Sequence, residues 1–126
     1  MRKPPRISEA EWQVMKIIWK EQPLTADQII QRLADKTPWH RKTIKTLIGR
    51  LVRKGALRFE KLDRQYRYWP LLKEENGIRG ESRSFLDRVF DGALQPMMAH
   101  FVRHQKLTPK DIQELQAILK QKGKQP

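Results

Sequence analysis

At Gly55 the hydrophobic period of this chain changes from that of a helix, about 3.6 residues, to that of a strand, about 2. Before it, Ile44, Leu47, Ile48, Leu51 and Val52 fall on one helical stripe, and Gly55 stands where a helix ends on a left-handed residue. After it, Leu57 and Phe59 alternate with Arg58 and Glu60, and Tyr66 and Tyr68 with Arg67 and Trp69. The polar run Lys61-Leu62-Asp63-Arg64-Gln65 separates the two, and Pro70 closes the second. This spacing predicts a β-hairpin with a longer loop directly behind a helix.

Two shorter helices precede that pair, and their caps announce them. Ser8-Glu9-Ala10-Glu11 reads as a capping box, with Ile7 and Trp12 as a hydrophobic staple. The helix is expected to bury Trp12, Met15, Ile18 and Trp19, with Val14 beside them, and to stop before Pro23. Thr25-Ala26-Asp27-Gln28 repeats the device, with Leu24 and Ile29 as staple. The third helix starts at His40, with Trp39 and Ile44 in the staple positions. Three helices followed by a hairpin form the winged helix-turn-helix pattern, so the fold class is mainly α with a small β-hairpin wing.

Beyond Leu72 the pattern is helical again. One helix is expected over about Lys73–Phe90, ended by Gly92, and another near Pro96 carrying Leu94, Met97, Met98, Phe101 and Val102. The last has Thr108 as N-cap, Pro109 at its first position and Leu107 with Ile112 as staple. Its tail from Gly123 to Pro126 is expected to fray. These helices are amphipathic, yet so short a segment rarely builds a core alone. The reading therefore divides the chain into a winged-helix DNA-binding domain, 1–72, and a helical dimerisation region, 73–126. Across a two-fold axis the second region would join Ile78, Phe85, Leu86, Val89, Met97, Phe101, Ile112, Leu115 and Leu119 to a second copy.

Charge points to the partner. The chain has 27 Lys+Arg against 14 Asp+Glu, a net charge of +13, and residues 1–72 hold 17 of those cations against 7 acids. A field of one sign concentrated in one segment suits a polyanion, and nucleic acid is the first candidate. The third helix turns Arg41, Lys42, Thr43, Lys45, Thr46, Arg50 and Arg53 away from its apolar stripe. In a helix-turn-helix protein such a face meets base edges in the major groove. Arg or Lys reaches guanine O6 and N7 there, and a Thr methyl suits the thymine methyl. Gly49 on this face costs about 1 kcal/mol relative to Ala in a helix interior. The cost becomes intelligible if the helix approaches DNA closely. Lys61, Arg64 and Arg67 at the hairpin tip suit phosphate or minor-groove contact.

Other chemistries find little support. The chain has no Cys, which removes disulfides, thiolate metal sites and Cys nucleophiles together. His40, His100 and His104 read as surface or packing residues, and no metal or cofactor is expected. The sequence has no GxSxG, P-loop or HExxH motif, and no enzyme is expected. No apolar window approaches the roughly 20 residues of a membrane span. Together these features predict a cytoplasmic protein without a membrane partner. A non-specific basic nucleic-acid-binding protein, or a winged helix used as a protein-interaction module, remains open on these grounds.

Several stretches resemble one known family. Ile7-Ser8-Glu9-Ala10-Glu11-Trp12-Gln13-Val14-Met15, the run Lys42-Thr43-Ile44-Lys45-Thr46-Leu47-Ile48-Gly49-Arg50-Leu51-Val52-Arg53-Lys54-Gly55-Ala56-Leu57 and Ser84-Phe85-Leu86-Asp87-Arg88-Val89-Phe90-Asp91-Gly92 are similar to the penicillinase-repressor (BlaI/MecI/CopY-type) family of bacterial regulators. The resemblance implies a homodimer on a palindromic double-stranded operator with TACA/TGTA half-sites, repressing transcription until induced. β-Lactam-resistance-type genes are among the family's targets. Its recognition-helix contacts carry over onto Lys42, Thr43, Thr46 and Arg50, and further onto Lys45, Arg53 and the wing. Three departures follow. His40 stands where the family commonly has Ser as N-cap. The Asn-Phe bond that a sensor protease cuts in antibiotic-responsive members is matched by His100-Phe101. The Cys-rich metal motif of copper-responsive members has no counterpart.

Overall fold

The computed structural model describes residues 5–125; the basic start of the chain, residues 1–4, and Pro126 lie outside them. Helix α1 spans Glu9–Lys20, α2 Ala26–Ala34 and α3 Arg41–Arg53. Strand β1 is Leu24–Thr25, β2 Leu57–Leu62 and β3 Gln65–Pro70. Then come α4, Glu74–Phe90, α5, Leu94–His104, and α6, Pro109–Gly123. This is a winged helix-turn-helix followed by three helices. The chain forms two compact units, Met1–Ser84 and Phe85–Pro126.

The helix starts follow local chemistry. The Ser8 hydroxyl accepts from the Glu11 amide at 3.1 Å, and the Glu11 carboxylate accepts from the Ser8 amide at 2.9 Å. Thr25 with Gln28 and Thr108 with Asp111 form the same reciprocal pair. His40 makes no side-chain cap on α3. Gly55 has φ +82° directly behind α3, and Gly92 has the same angle behind α4.

The core of the first unit joins Val14, Met15, Ile17 and Ile18 of α1 to Ile29 and Leu33 of α2. It also takes Ile44, Leu47, Ile48 and Leu51 of α3, and Leu57 of β2. Trp12 and Trp19 were expected inside it, yet they are only half-buried at its rim, edge-to-face with ring centroids 5.3 Å apart. Ile17 takes an interior place that the sequence reading omitted. An indole on the rim keeps its polar N–H within reach of a partner. Trp19 Nε1 donates to the Leu72 carbonyl at 2.8 Å.

That contact also explains where the unit ends. A Cβ on Gly77 would lie 2.9 Å from Trp19 Cη2, so α4 lays its first turns directly against α1. The compact unit accordingly runs through these turns to Ser84.

The wing differs from expectation in its turn. Leu62 pairs with Gln65, leaving only Asp63 and Arg64 between the strands, both at positive φ, 50° and 68°. This two-residue turn, with the left-handed pair of type I′, replaces the longer loop predicted above; its twist matches that of the flanking strands. The sheet gains a third strand that was not foreseen. The staple residue Leu24 pairs with Tyr68, and Thr25 with Arg67, so the order is β1-β3-β2.

In the second unit Phe85 stacks on Phe101 with centroids 6.1 Å apart. Leu86 is its one buried apolar side chain among the described residues. Of the nine side chains assigned to dimerisation, Phe85, Met97 and Leu115 are half-buried. Ile78, Val89, Phe101, Ile112 and Leu119 are exposed.

Candidate nucleic-acid interface

Helix α3 separates its two faces cleanly. Ile44, Leu47, Ile48 and Leu51 are buried, while Arg41, Lys42, Thr43, Lys45, Thr46, Arg50 and Arg53 are exposed together. The Thr46 hydroxyl donates to the Lys42 carbonyl at 3.0 Å. That bond engages its proton and leaves the oxygen lone pairs and the methyl group for a partner. Gly49 has open space where a Cβ would stand, nothing lying within 4 Å. Packing inside the chain therefore does not demand a glycine there.

The structure sorts the cations of residues 40–67 into two groups. Arg41 pairs with Asp27 at the start of α2, and Lys54 pairs with Glu11 of α1. Arg58 pairs with Glu60 at 2.6 Å and lies 4.6 Å over the Trp69 ring. Lys42, Lys45, Arg50, Arg53, Lys61, Arg64 and Arg67 make no ion pair among the described residues. These seven, with Thr43 and Thr46, form the unneutralised part of the predicted set.

A cleft of about 470 Å³ brings α3 and the wing together. Arg41, Lys45 and Ile48 line one wall, Arg64, Gln65 and Tyr66 the other, with Asp27 at the end. Arg64 sits on the two-residue turn, which makes it the tip of the wing. Arg67, placed at the tip by the sequence reading, lies mid-strand opposite Glu60 and Thr25. The tight turn lengthens the ladder and draws it inward. Its side chain lines a separate depression of about 310 Å³ with Thr25, Gln28 and Gln31, and its Nε is buried without an acceptor. Gln28 and Gln31 were missed in the sequence because α2 was read for its cap and apolar face alone.

The ionisable anchor of this surface is Glu11, 1% exposed. Burial pushes its pKa up. The Lys54 ammonium and the Ser8 amide and hydroxyl outweigh that and hold it below the ordinary carboxylate value. Lys54 Nζ also donates to the Arg6 carbonyl at 2.9 Å. The C-cap of α3 is thereby tied to the start of α1.

The penicillinase repressor family model matches residues 7–121. The chain belongs to the penicillinase repressor family. It is 39% identical over 121 residues to the penicillinase repressor of Bacillus licheniformis, covering 96% of this chain and 94% of that one. It is 35% identical over 116 residues to the methicillin resistance regulatory protein MecI of Mammaliicoccus sciuri, covering 92% and 94%. Among solved structures, the DNA-binding domain of the repressor BlaI superposes with a TM-score of 0.54 at 41% identity, over 60% of this chain and 93% of that one. The monomeric form of Bacillus licheniformis BlaI, in complex with the blaP half-operator, matches with the same values.

Within this penicillinase repressor family member, the His100–Phe101 bond lies inside α5, one turn from its end. Helical backbone yields to a protease only on local opening. No helix among the described residues is long and apolar enough to cross a membrane.

Proposed function

We propose that this chain is a dimeric, sequence-specific transcriptional repressor acting on cytoplasmic DNA. Its α3 reads the major groove of each half-site, and its wing holds the adjoining backbone. The observation that carries this reading is the exposed face of α3, where Lys42, Lys45, Arg50 and Arg53 stand without ion pairs beside Thr43 and Thr46, with Arg64 of the wing across the cleft from Lys45. Arg50 and Lys42 have the chemistry for guanine edges, and Thr43 and Thr46 for thymine methyls. Lys61, Arg64 and Arg67 suit phosphates. Two such helices about 34 Å apart would match half-sites about 10 bp centre to centre. The pairing would be made by the exposed apolar residues of α4, α5 and α6.

Gel-shift titration on a duplex with inverted TACA/TGTA half-sites, and on a scrambled duplex, tests the reading. Thr43→Ala and Thr46→Ala should weaken operator binding by about tenfold each and spare the scrambled duplex, since a good base contact is worth about 1–3 kcal/mol of discrimination. Arg64→Ala should weaken both. Equal loss on both duplexes from the Thr variants, or binding that vanishes together on both as salt rises, would leave only a basic protein on a polyanion.

Gly49 gives a second expected outcome of opposite sign in two assays. Gly49→Ala should stabilise the fold by about 1 kcal/mol, because α3 gains helix propensity and the added methyl meets nothing. The same methyl should weaken operator binding. A variant both more stable and undiminished in affinity would show that α3 does not approach DNA closely at this residue.

A further inference from the structure

Helix α5 carries a histidine pair that the DNA-binding reading does not use. His100 and His104 lie four residues apart near its C-terminal end, both exposed, with ring centroids 4.5 Å apart and planes inclined by 44°. A residue and the fourth one after it share a helix face, so the backbone sets both side chains on one side of α5. Phe90, 6.2 Å from the His100 ring, and Phe101, 6.1 Å from it, flank the pair with apolar surface and offer no competing ion.

We propose that His100 and His104 form a chelating site for a divalent transition-metal ion. The geometry is suited to one. A metal about 2.0–2.1 Å from an imidazole nitrogen lies about 3.2 Å from that ring's centroid. With a nitrogen of each ring turned to one ion, two centroids separated by 4.5 Å subtend about 90° at it. That is the angle of neighbouring ligands in a square-planar or octahedral shell, and a small ring rotation opens it to tetrahedral. The donor set selects the class of ion. Two imidazoles with no carboxylate beside them suit Zn²⁺, Ni²⁺ or Cu²⁺, whereas Ca²⁺ and Mg²⁺ require oxygen ligands. No group of three or more His, Cys, Asp or Glu converges among the described residues, so water completes the shell of an isolated chain.

This departs from the role given to these histidines by sequence, and the reason is the 4.5 Å approach of the rings, which four-residue spacing alone does not guarantee. The site shares no residue with α3 or the wing, so either reading can fail without the other. A bound ion bridges the helical turn that contains Phe101 and Val102, and braces the end of α5. The last backbone bond there runs from the Gln105 amide to the Phe101 carbonyl at 2.9 Å.

The full chain should be titrated calorimetrically with Zn²⁺ and, separately, Ni²⁺ in a non-coordinating buffer. His100→Gln and His104→Gln should each lower affinity by more than about tenfold, because each leaves a single imidazole ligand. His40→Gln, on α3's N-cap, should leave it unchanged. Both rings are exposed, so neither glutamine variant should unfold the chain. Hydrogen exchange read by mass spectrometry should slow at His104 and Gln105 on adding Zn²⁺ to the wild type and not to either variant. One ion per chain, or one shared by two chains, supports the site, since both require both rings. Equal affinity in the wild type and the two α5 variants, or unchanged exchange at Gln105, overturns it.

Discussion

A chain carrying Val89→Glu and Leu119→Glu together is expected to sediment as a monomer, and to lose about 100-fold or more in affinity for a two-half-site operator. Val89 is 50% exposed and Leu119 62%, so neither substitution removes packing within one chain. The reason to expect assembly lies in what the second unit lacks. Phe85–Pro126 buries Leu86 and no other apolar side chain among its described residues, while Leu94, Phe101, Val102, Ile112 and Ile118 also face solvent. A segment of that size commonly needs oligomerisation to bury its apolar faces. Carboxylates placed in such an interface would be desolvated without counter-ions, at a cost of several kcal/mol. Affinity for a single half-site should change little, which separates loss of pairing from loss of folding. Sedimentation as a dimer with full operator affinity would mean that pairing uses another surface.

Lys54→Met should destabilise the fold by about 2 kcal/mol, read as a lower denaturant midpoint. The full effect of breaking a buried pair is larger. Lys54 itself is 37% exposed, however, and water reaching the vacated place would relieve part of the stranded charge. Glu11→Gln in the same chain should recover a portion, because the amide still accepts from Ser8 without carrying charge. The pH dependence has a definite sign. The native pKa of Glu11 lies below its ordinary value, so its contribution is present at neutral pH and above. It is lost as pH falls through the ordinary carboxylate value toward the lowered native one. Lys54→Met should therefore narrow its gap to wild type under acid. A gap that holds constant into the acid range would show that the lysine acts through packing of its stem.

Much of the candidate interface was legible because a helix declares its own faces. The stripe from Ile44 to Val52 fixes which way Lys42, Thr43, Thr46 and Arg50 turn, using nothing beyond residues three and four apart. The state of the charges was not legible. Arg41 finds Asp27 fourteen residues away and Lys54 finds Glu11 forty-three away, so two cations that look alike in sequence are already spoken for. Arg58 is held next to Glu60 and over Trp69, which only the strand register brings together. Arg67 lay on the wing in either view. Its distance from the tip depended on a turn two residues long.

What the sequence by itself determined are the features whose cause lies within one or two turns of chain. The capping boxes at Ser8 and Thr25, the Thr108 cap, the left-handed Gly55, the stop at Gly92 and the change from helical to strand period at the wing belong here. Each is settled by a hydrogen bond or a steric allowance between near neighbours. The tertiary structure alone decided the strand β1, the seat of Gly77 under Trp19 and the extent of the first unit. These depend on which distant segments meet. Leu24 becomes a strand because β3 passes beside it, and α4 joins the first unit because a glycine lets it reach the Trp19 ring. Such contacts form only after the chain has closed loops of tens of residues, and no local pattern encodes them.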